Sequence, residues 1–454
     1  MATKGERDSL TGRLTRYARV SASIGGVAAR AASSRLIGRG QGNAIAADLR
    51  RALGGLKGPV MKVAQMLATI PEVLPPEVAA ELAELQSNAP AMGWAFVQRR
   101  MSAELGSGWR DKFASFEKEA AAAASLGQVH RANSLPARGA KEGVPLACKL
   151  QYPDMAAAVE ADLGQLSVIL AIYRRIDRSI DTRNIELEVG ARLREELDYE
   201  LEARHMSLYR DLLADEPRVH VPDVVGTLST QRLLTMTWLQ GRPLAEIEQA
   251  PEADRNKVAE ALFRAWYVPF YRAGVIHGDP HLGNYTVADD LSINLLDFGC
   301  LRAFQPKFIQ GVVDLYRAVR DDDRDLAVHA FTTWGFERLS PTVIDALRVW
   351  AEFLYAPLIE DRPRRLQEKE SAGVFGQDIA HEVHKRLKAE GGVTPPREWV
   401  FMNRASVGLG GVFLRLKARL NWHRMFHELL DEFDPVALSK RQKAAFTKAG
   451  VPLP

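Results

Sequence analysis

The spacing of apolar positions changes several times along the chain. Over residues 53–105 they recur at helical intervals, broken at Pro71, Pro75 and Pro76, where proline removes a backbone donor and crowds the preceding turn. From 113 to 150 the pattern changes to short apolar runs, with a Gly-, Pro- and Arg-containing connection at 133–143, which predicts a β-hairpin with a long loop. Helical spacing returns at 155–176 and 185–213, and short strands are predicted at 219–225 and 232–238. Beyond Gly241 the pattern is helical to the end, apart from two motif-rich segments between Val275 and Gly299. The reading is α+β: a small mixed lobe followed by a larger helical one.

Composition narrows the class. Of 454 residues 46% are hydrophobic and 26% charged, enough for a sizeable core and against wholesale disorder. The net charge of +3 offers no strongly basic field, so a nucleic-acid partner is not expected. Cys148 and Cys300, the two cysteines, exclude a disulfide framework and fit a reducing compartment; both read as small buried hydrophobes. No run approaches the roughly 18 apolar residues of a membrane span, and no secretory signal is evident, so a cytoplasmic protein is expected. Residues 1–57 carry eleven Lys or Arg against Glu6, Asp8 and Asp48. Leu10, Leu14, Tyr17 and Ile24 share a helix face flanked by Arg13, Arg16 and Arg19. That face reads either as an ordinary surface helix or as a basic amphipathic helix holding the chain peripheral to an anionic membrane.

Three elements in fixed order carry the chemistry. In VPLACKLQYP, a strand period of two puts Lys149 on the face opposite Leu146, Cys148 and Leu150. Alone it reads as a solvated lysine; joined to the two elements downstream it reads as a cation for nucleotide phosphates. In VIHGDPHLGN, Asp279 and Asn284 have the five-residue spacing of a carboxylate that orients an acceptor and an amide that binds Mg²⁺. In INLLDFGC, a short apolar strand ends at Asp297, a second oxygen ligand for a hard cation. On the 185–213 helix Leu193, Leu197, Leu201 and Leu208 form one stripe, with Glu195, Asp198 and Glu202 roughly opposite. Asp198 and Glu202 repel unless a cation sits nearby, and Lys149 is the candidate.

These motifs resemble the UbiB (AarF-like) family of atypical kinases, linked to coenzyme Q biosynthesis, over about residues 53–426. AAAAASLGQVHRA is similar to the family's alanine-rich loop, with Ala122, Ala123, Ala124 and Ser125 in the matching positions. Lys62-Val63-Ala64-Gln65 resembles its KxGQ motif, with alanine replacing glycine; the resemblance implies that Lys62 and Gln65 face the nucleotide and block a peptide cleft. Glu196-Leu197-Asp198 matches its ExD motif, and the glutamate paired with the strand lysine falls on Glu202. Glu196 or Asp198 would then answer Lys62. TMTWLQGRPL resembles the hinge that grips adenine, through Met236, Trp238 and Leu239. No A-P-E motif follows DFG.

The resemblance implies a bilobal protein-kinase-like fold. A basic segment (1–52) and a helical extension (53–112) would precede an N-lobe (113–240) and a helical C-lobe (241–454). It implies ATP (or ADP) and Mg²⁺ as cofactors and an atypical kinase or ATPase supporting ubiquinone or other prenyl-lipid biosynthesis. Lys149 would hold the α/β phosphates, Asn284 and Asp297 the metal, and Asp279 the acceptor hydroxyl or water. The implied partners beyond nucleotide are a lipid or quinone-pathway ligand, a membrane surface and biosynthetic-complex proteins. Two other readings stay open: a small-molecule phosphotransferase of the choline/aminoglycoside kinase type, whose HGDxHxxN pattern is similar, and a nucleotide-gated lipid-binding scaffold.

Overall fold

The computed structural model describes residues 92–123, 126–137, 141–176, 181–337, 339–367 and 376–454. The basic segment, the Lys62–Gln65 stretch, and Ala124 and Ser125 of the alanine-rich loop lie outside them.

In the first half, helix α1 (Trp94–Leu105) is followed by β1 (Phe113–Ala123), β2 (Gly127–Ser134) and β3 (Pro145–Gln151). Three helices come next, α2 (Met155–Ile176), α3 (Arg183–Glu195) and α4 (Tyr199–Leu212), then β4 (Val219–His220) and β5 (Leu233–Thr237). Strands β1-β2-β3-β5 form an antiparallel sheet. Five consecutive alanines favour helix locally, but Ala122 and Ala123 extend β1 opposite Val129 and Gln128, so pairing outweighs propensity. The alternation expected for β3 is present: Leu146, Cys148 and Leu150 are buried in a small core with Trp109 and Phe113, and Lys149 takes the other face.

One expectation is corrected. The stretch 185–213 is two helices, not one, broken at Glu196–Asp198. Asp198 caps α4, its Oδ1 accepting from the amides of Glu200 (3.1 Å) and Leu201 (2.9 Å), which ends one helix and starts the next. The Gln151 side chain donates to Leu197 O (3.0 Å) and ties the break to β3. The phase therefore restarts at Tyr199. Glu202 falls on the buried face of α4 with Tyr199, His205, Met206 and Tyr209, apart from Asp198 at the cap.

The second half is mainly helical. After β6 (Arg242–Pro243) and α5 (Glu252–Ala273) come β7 (Val275–His277), β8 (Tyr285–Val287), β9 (Ile293–Leu295) and β10 (Leu301–Ala303). The chain continues through α6 (Pro306–Arg320), α7 (Arg324–Trp334), α8 (Pro341–Ile359), α9 (Gln377–Ala389), α10 (Arg397–Leu416), α11 (Trp422–Asp431) and α12 (Pro435–Ala449). Strands β4-β9-β8-β6 make a second small sheet, and β7 pairs with β10. The large core gathers about α5, whose Leu262, Trp266 and Phe270 are fully buried. Gly274 ends α5 at φ +66°, a conformation that favours glycine, and turns the chain into β7 and the Asp279 loop. Among the described residues no helix is long and apolar enough to cross a membrane.

Candidate active site

The two halves meet at Lys149. Strand β3 holds it between Val129 and Leu234, and its Nζ reaches Glu202 Oε1 at 2.7 Å and Asp297 Oδ1 at 3.4 Å. The Tyr199 ring lies 5.2 Å from the ammonium, a cation–π contact. Glu196 closes the group: a Cβ placed on Gly299 would stand 3.3 Å from Asp297 Oδ1, 3.4 Å from Glu196 Cγ and 3.8 Å from Glu202 Oε2. One ammonium thus faces two carboxyl groups, with the Glu196 side chain packed beside them.

The electrostatics follow from that imbalance. Burial is the largest single influence on Lys149 and opposes its charge, but Asp297 and Glu202 together outweigh it and hold the ammonium protonated. Glu202 is the more deeply buried of its two partners. Burial first, then repulsion by Asp297, pushes its carboxyl up to about 7 despite Lys149. Its Oε2 is buried without a hydrogen-bond partner, an arrangement that disfavours the ionised form.

The later motifs converge through backbone. Asn284 and Asp297 lie at one end of the β8–β9 hairpin, where Leu296 N donates to Asn284 O (3.0 Å). The Asn284 Nδ2 donates to Asp279 O (3.2 Å), so the side-chain oxygen is the atom of this amide able to ligate a cation. His277 links the two loops: its Nε2 lies 2.5 Å from Asp297 O and its Nδ1 3.4 Å from Asp279 N. Since a carbonyl only accepts and an amide only donates, His277 is neutral with the proton on Nε2. His205 Nδ1 donates to Phe298 O (3.2 Å), and burial lowers its pKa to about 4, so it too is neutral. Arg404, from α10, stands 3.5 Å from Asp279 Oδ1.

The structure thus brings together Lys149, Glu196, Glu202 and Asp297, and in the adjoining loop Asp279 and Asn284. It places Asp198 at a helix cap instead. At the expected hinge Met236 is paired to Ala147, and Trp238 N donates to Pro145 O (2.8 Å) while its ring stacks under the Arg131 guanidinium at 4.1 Å. The Trp238 amide is therefore committed within the protein. Sequence reasoning missed His277, Tyr199 and Arg404. The last had a signal, a lone arginine on the apolar face of a helix pattern.

Among the described residues no group of three or more His, Cys, Asp or Glu side chains forms an all-protein metal site. The donors present fit Mg²⁺ differently. Asp297 and Asn284 supply hard oxygens, and Mg²⁺ commonly completes its shell from phosphate and water.

Known proteins carry the same framework. Residues 84–330, more than half of the chain, match the ABC1 atypical kinase-like domain. The chain is 26% identical to the mitochondrial atypical kinase coq-8 of Caenorhabditis elegans over 83% of its length and 50% of the relative's. It is 28% identical to the mitochondrial atypical kinase COQ8 of Saccharomyces cerevisiae, over 82% of its length and 74% of the relative's. It therefore spans half the length of the first and about three-quarters of the second. Among solved structures, Mycobacterium tuberculosis Rv3197 in complex with erythromycin superposes with a TM-score of 0.52 at 26% identity, over 86% of this chain and 96% of that one. With its sheet-bearing and helical halves meeting at Lys149 and Asp297, the chain belongs to the ABC1 atypical kinase-like family, the UbiB group that includes the COQ8 proteins.

Proposed function

We propose that this chain binds ATP with Mg²⁺ and acts as an atypical kinase or ATPase in support of ubiquinone or other prenyl-lipid biosynthesis. The observation that carries the reading is Lys149 poised between Glu202 and Asp297 at the junction of the two halves. In it, Lys149 receives the α/β phosphates, oriented by Glu202 as its guide. Asp297 and Asn284 hold the metal, and Asp279 orients the acceptor hydroxyl or water. Bound there, Mg²⁺ supplies charge neutralisation for the polyphosphate. Met236 and Leu239 border the adenine, with Ala122 and Ala123 at the strand end over the phosphates.

The names of the COQ8 relatives support the biosynthetic setting, and a site peripheral to a membrane is part of the same proposal. The test compares phosphate release and transfer by the wild type and Asp279→Ala, with and without anionic, quinone-containing vesicles. Mg²⁺-dependent turnover in the wild type alone, raised by vesicles, is expected. Rapid stoichiometric phosphorylation of a soluble alcohol without lipid would favour the small-molecule phosphotransferase. Equal near-zero rates while ATP still alters conformation would favour the scaffold.

A further inference from the structure

The family match ends at residue 330, yet the Asp279 loop packs against α10, which begins at Arg397. Phe401, Arg404 and Gly408 are spaced by three and four residues and so share one helix face. They meet three consecutive loop residues. A Cβ at Gly278 would lie 2.0 Å from Phe401 Cζ, and one at Gly408 would lie 2.1 Å from Pro280 Cγ. Between these contacts Arg404 donates from Nη1 to Gly278 O (3.0 Å), with Nη2 3.5 Å from Asp279 Oδ1. Gly278 and Gly408 thus permit an approach that any side chain would block, and that approach delivers a guanidinium to the aspartate.

Arg404 is 4% exposed. Arginine remains charged even when desolvated, and its planar fork can hold two acceptors in fixed relation. A buried arginine used only for packing would need no such register with the loop. A hydrophobic residue of similar volume would fill the space without the desolvation penalty.

We propose that Arg404 is a positioning residue for phosphoryl chemistry, holding the Asp279 carboxylate and the Gly278 carbonyl in one orientation from outside the segment that matches the family domain. This rests on the functional reading above. The fork acts on the backbone before Asp279 and on its side chain together, so the loop cannot rotate the carboxylate away from the acceptor. A group that lowers the barrier only when aligned depends on such a hold, and misplacement by about 1 Å can reduce rate on the order of a hundredfold.

The experiment uses the full chain as wild type, Arg404→Gln and Arg404→Lys. It measures steady-state phosphate release at varied MgATP, nucleotide affinity by calorimetry, and amide hydrogen exchange of peptides covering 277–284. Arg404→Gln is expected to lower kcat about a hundredfold with KM and affinity within about threefold, and to raise exchange in that loop. Arg404→Lys, whose ammonium serves one acceptor at a time, is expected to recover part of the rate. Unchanged kcat, parallel loss of kcat and nucleotide affinity, or loop exchange equal to wild type would overturn the proposal. A wild type that binds nucleotide but neither releases nor transfers phosphate would refute the functional reading, and loop exchange then decides the role of Arg404 alone. Should Arg404→Gln not fold, the exchange and kinetics of Arg404→Lys decide in the same terms.

Discussion

Replacing Glu202 by Gln isolates the charge balance around Lys149. The substitution keeps the shape and removes the titrating group. The Glu202 carboxyl rises from an ordinary 4.5 to about 7 in the folded protein, with burial the largest cause. A raised acid binds its proton more tightly folded than unfolded, so stability from this group is present below pH 4.5 and is lost as pH rises through 7. At about 1.36 kcal/mol per pH unit the full effect is on the order of 3 kcal/mol, most of it falling between pH 5 and pH 8. Chemical denaturation of wild type and Glu202→Gln at pH 5, 6, 7 and 8 yields the difference between the two stability curves, from which titrating groups remote from the site cancel. Wild type should lose ground to the variant steadily as pH rises, while the variant turns over more slowly for want of a fixed lysine. A flat difference would refute the buried, crowded carboxyl. A difference that grows in favour of wild type would mean that Lys149 outweighs burial and Asp297.

Three further outcomes are expected. Asp297→Asn should abolish Mg²⁺-dependent nucleotide binding by calorimetry while the chain stays folded; undiminished affinity would remove Asp297 from the metal site. Gly278→Ala drives a methyl to 2.0 Å from Phe401 Cζ and 2.8 Å from Cys300 O, so a loss of about 1–3 kcal/mol in denaturant unfolding is expected, partly restored by Phe401→Leu. Cys148 is buried, and burial pushes its thiol up to about 12, so a thiol reagent at pH 8 should label it only after unfolding.

Much of the fold is local in origin, which is why patterning anticipated it. The alternation of Leu146, Cys148 and Leu150 around Lys149 specifies which face of β3 enters the core, because a strand's period of two allows no intermediate choice. The long spacing of α2 and the apolar strand before Asp297 were visible for the same reason. The break at Glu196–Asp198 was not: its residues suit a helix, and it forms because Asp198 caps the following turn while Gln151, far away in sequence, takes Leu197 O. That break sets the phase that carries Glu202 to the buried face beside Lys149, the pairing the motif resemblance implied.

The residue types able to meet a polyphosphate and a hard cation, and their order along the chain, are set by the amino-acid sequence. Their electrostatic state is not. It depends on one largely buried ammonium shared by Glu202 and Asp297, and on His277 holding the Asp279 and Asp297 loops through one ring. Arg404 reaches Asp279 across 125 residues of chain, through a helix–loop approach that only packing creates. Local periodicity sets which side of an element a residue occupies; distance and dielectric between elements, which decide charge and orientation, arise only when the chain closes on itself.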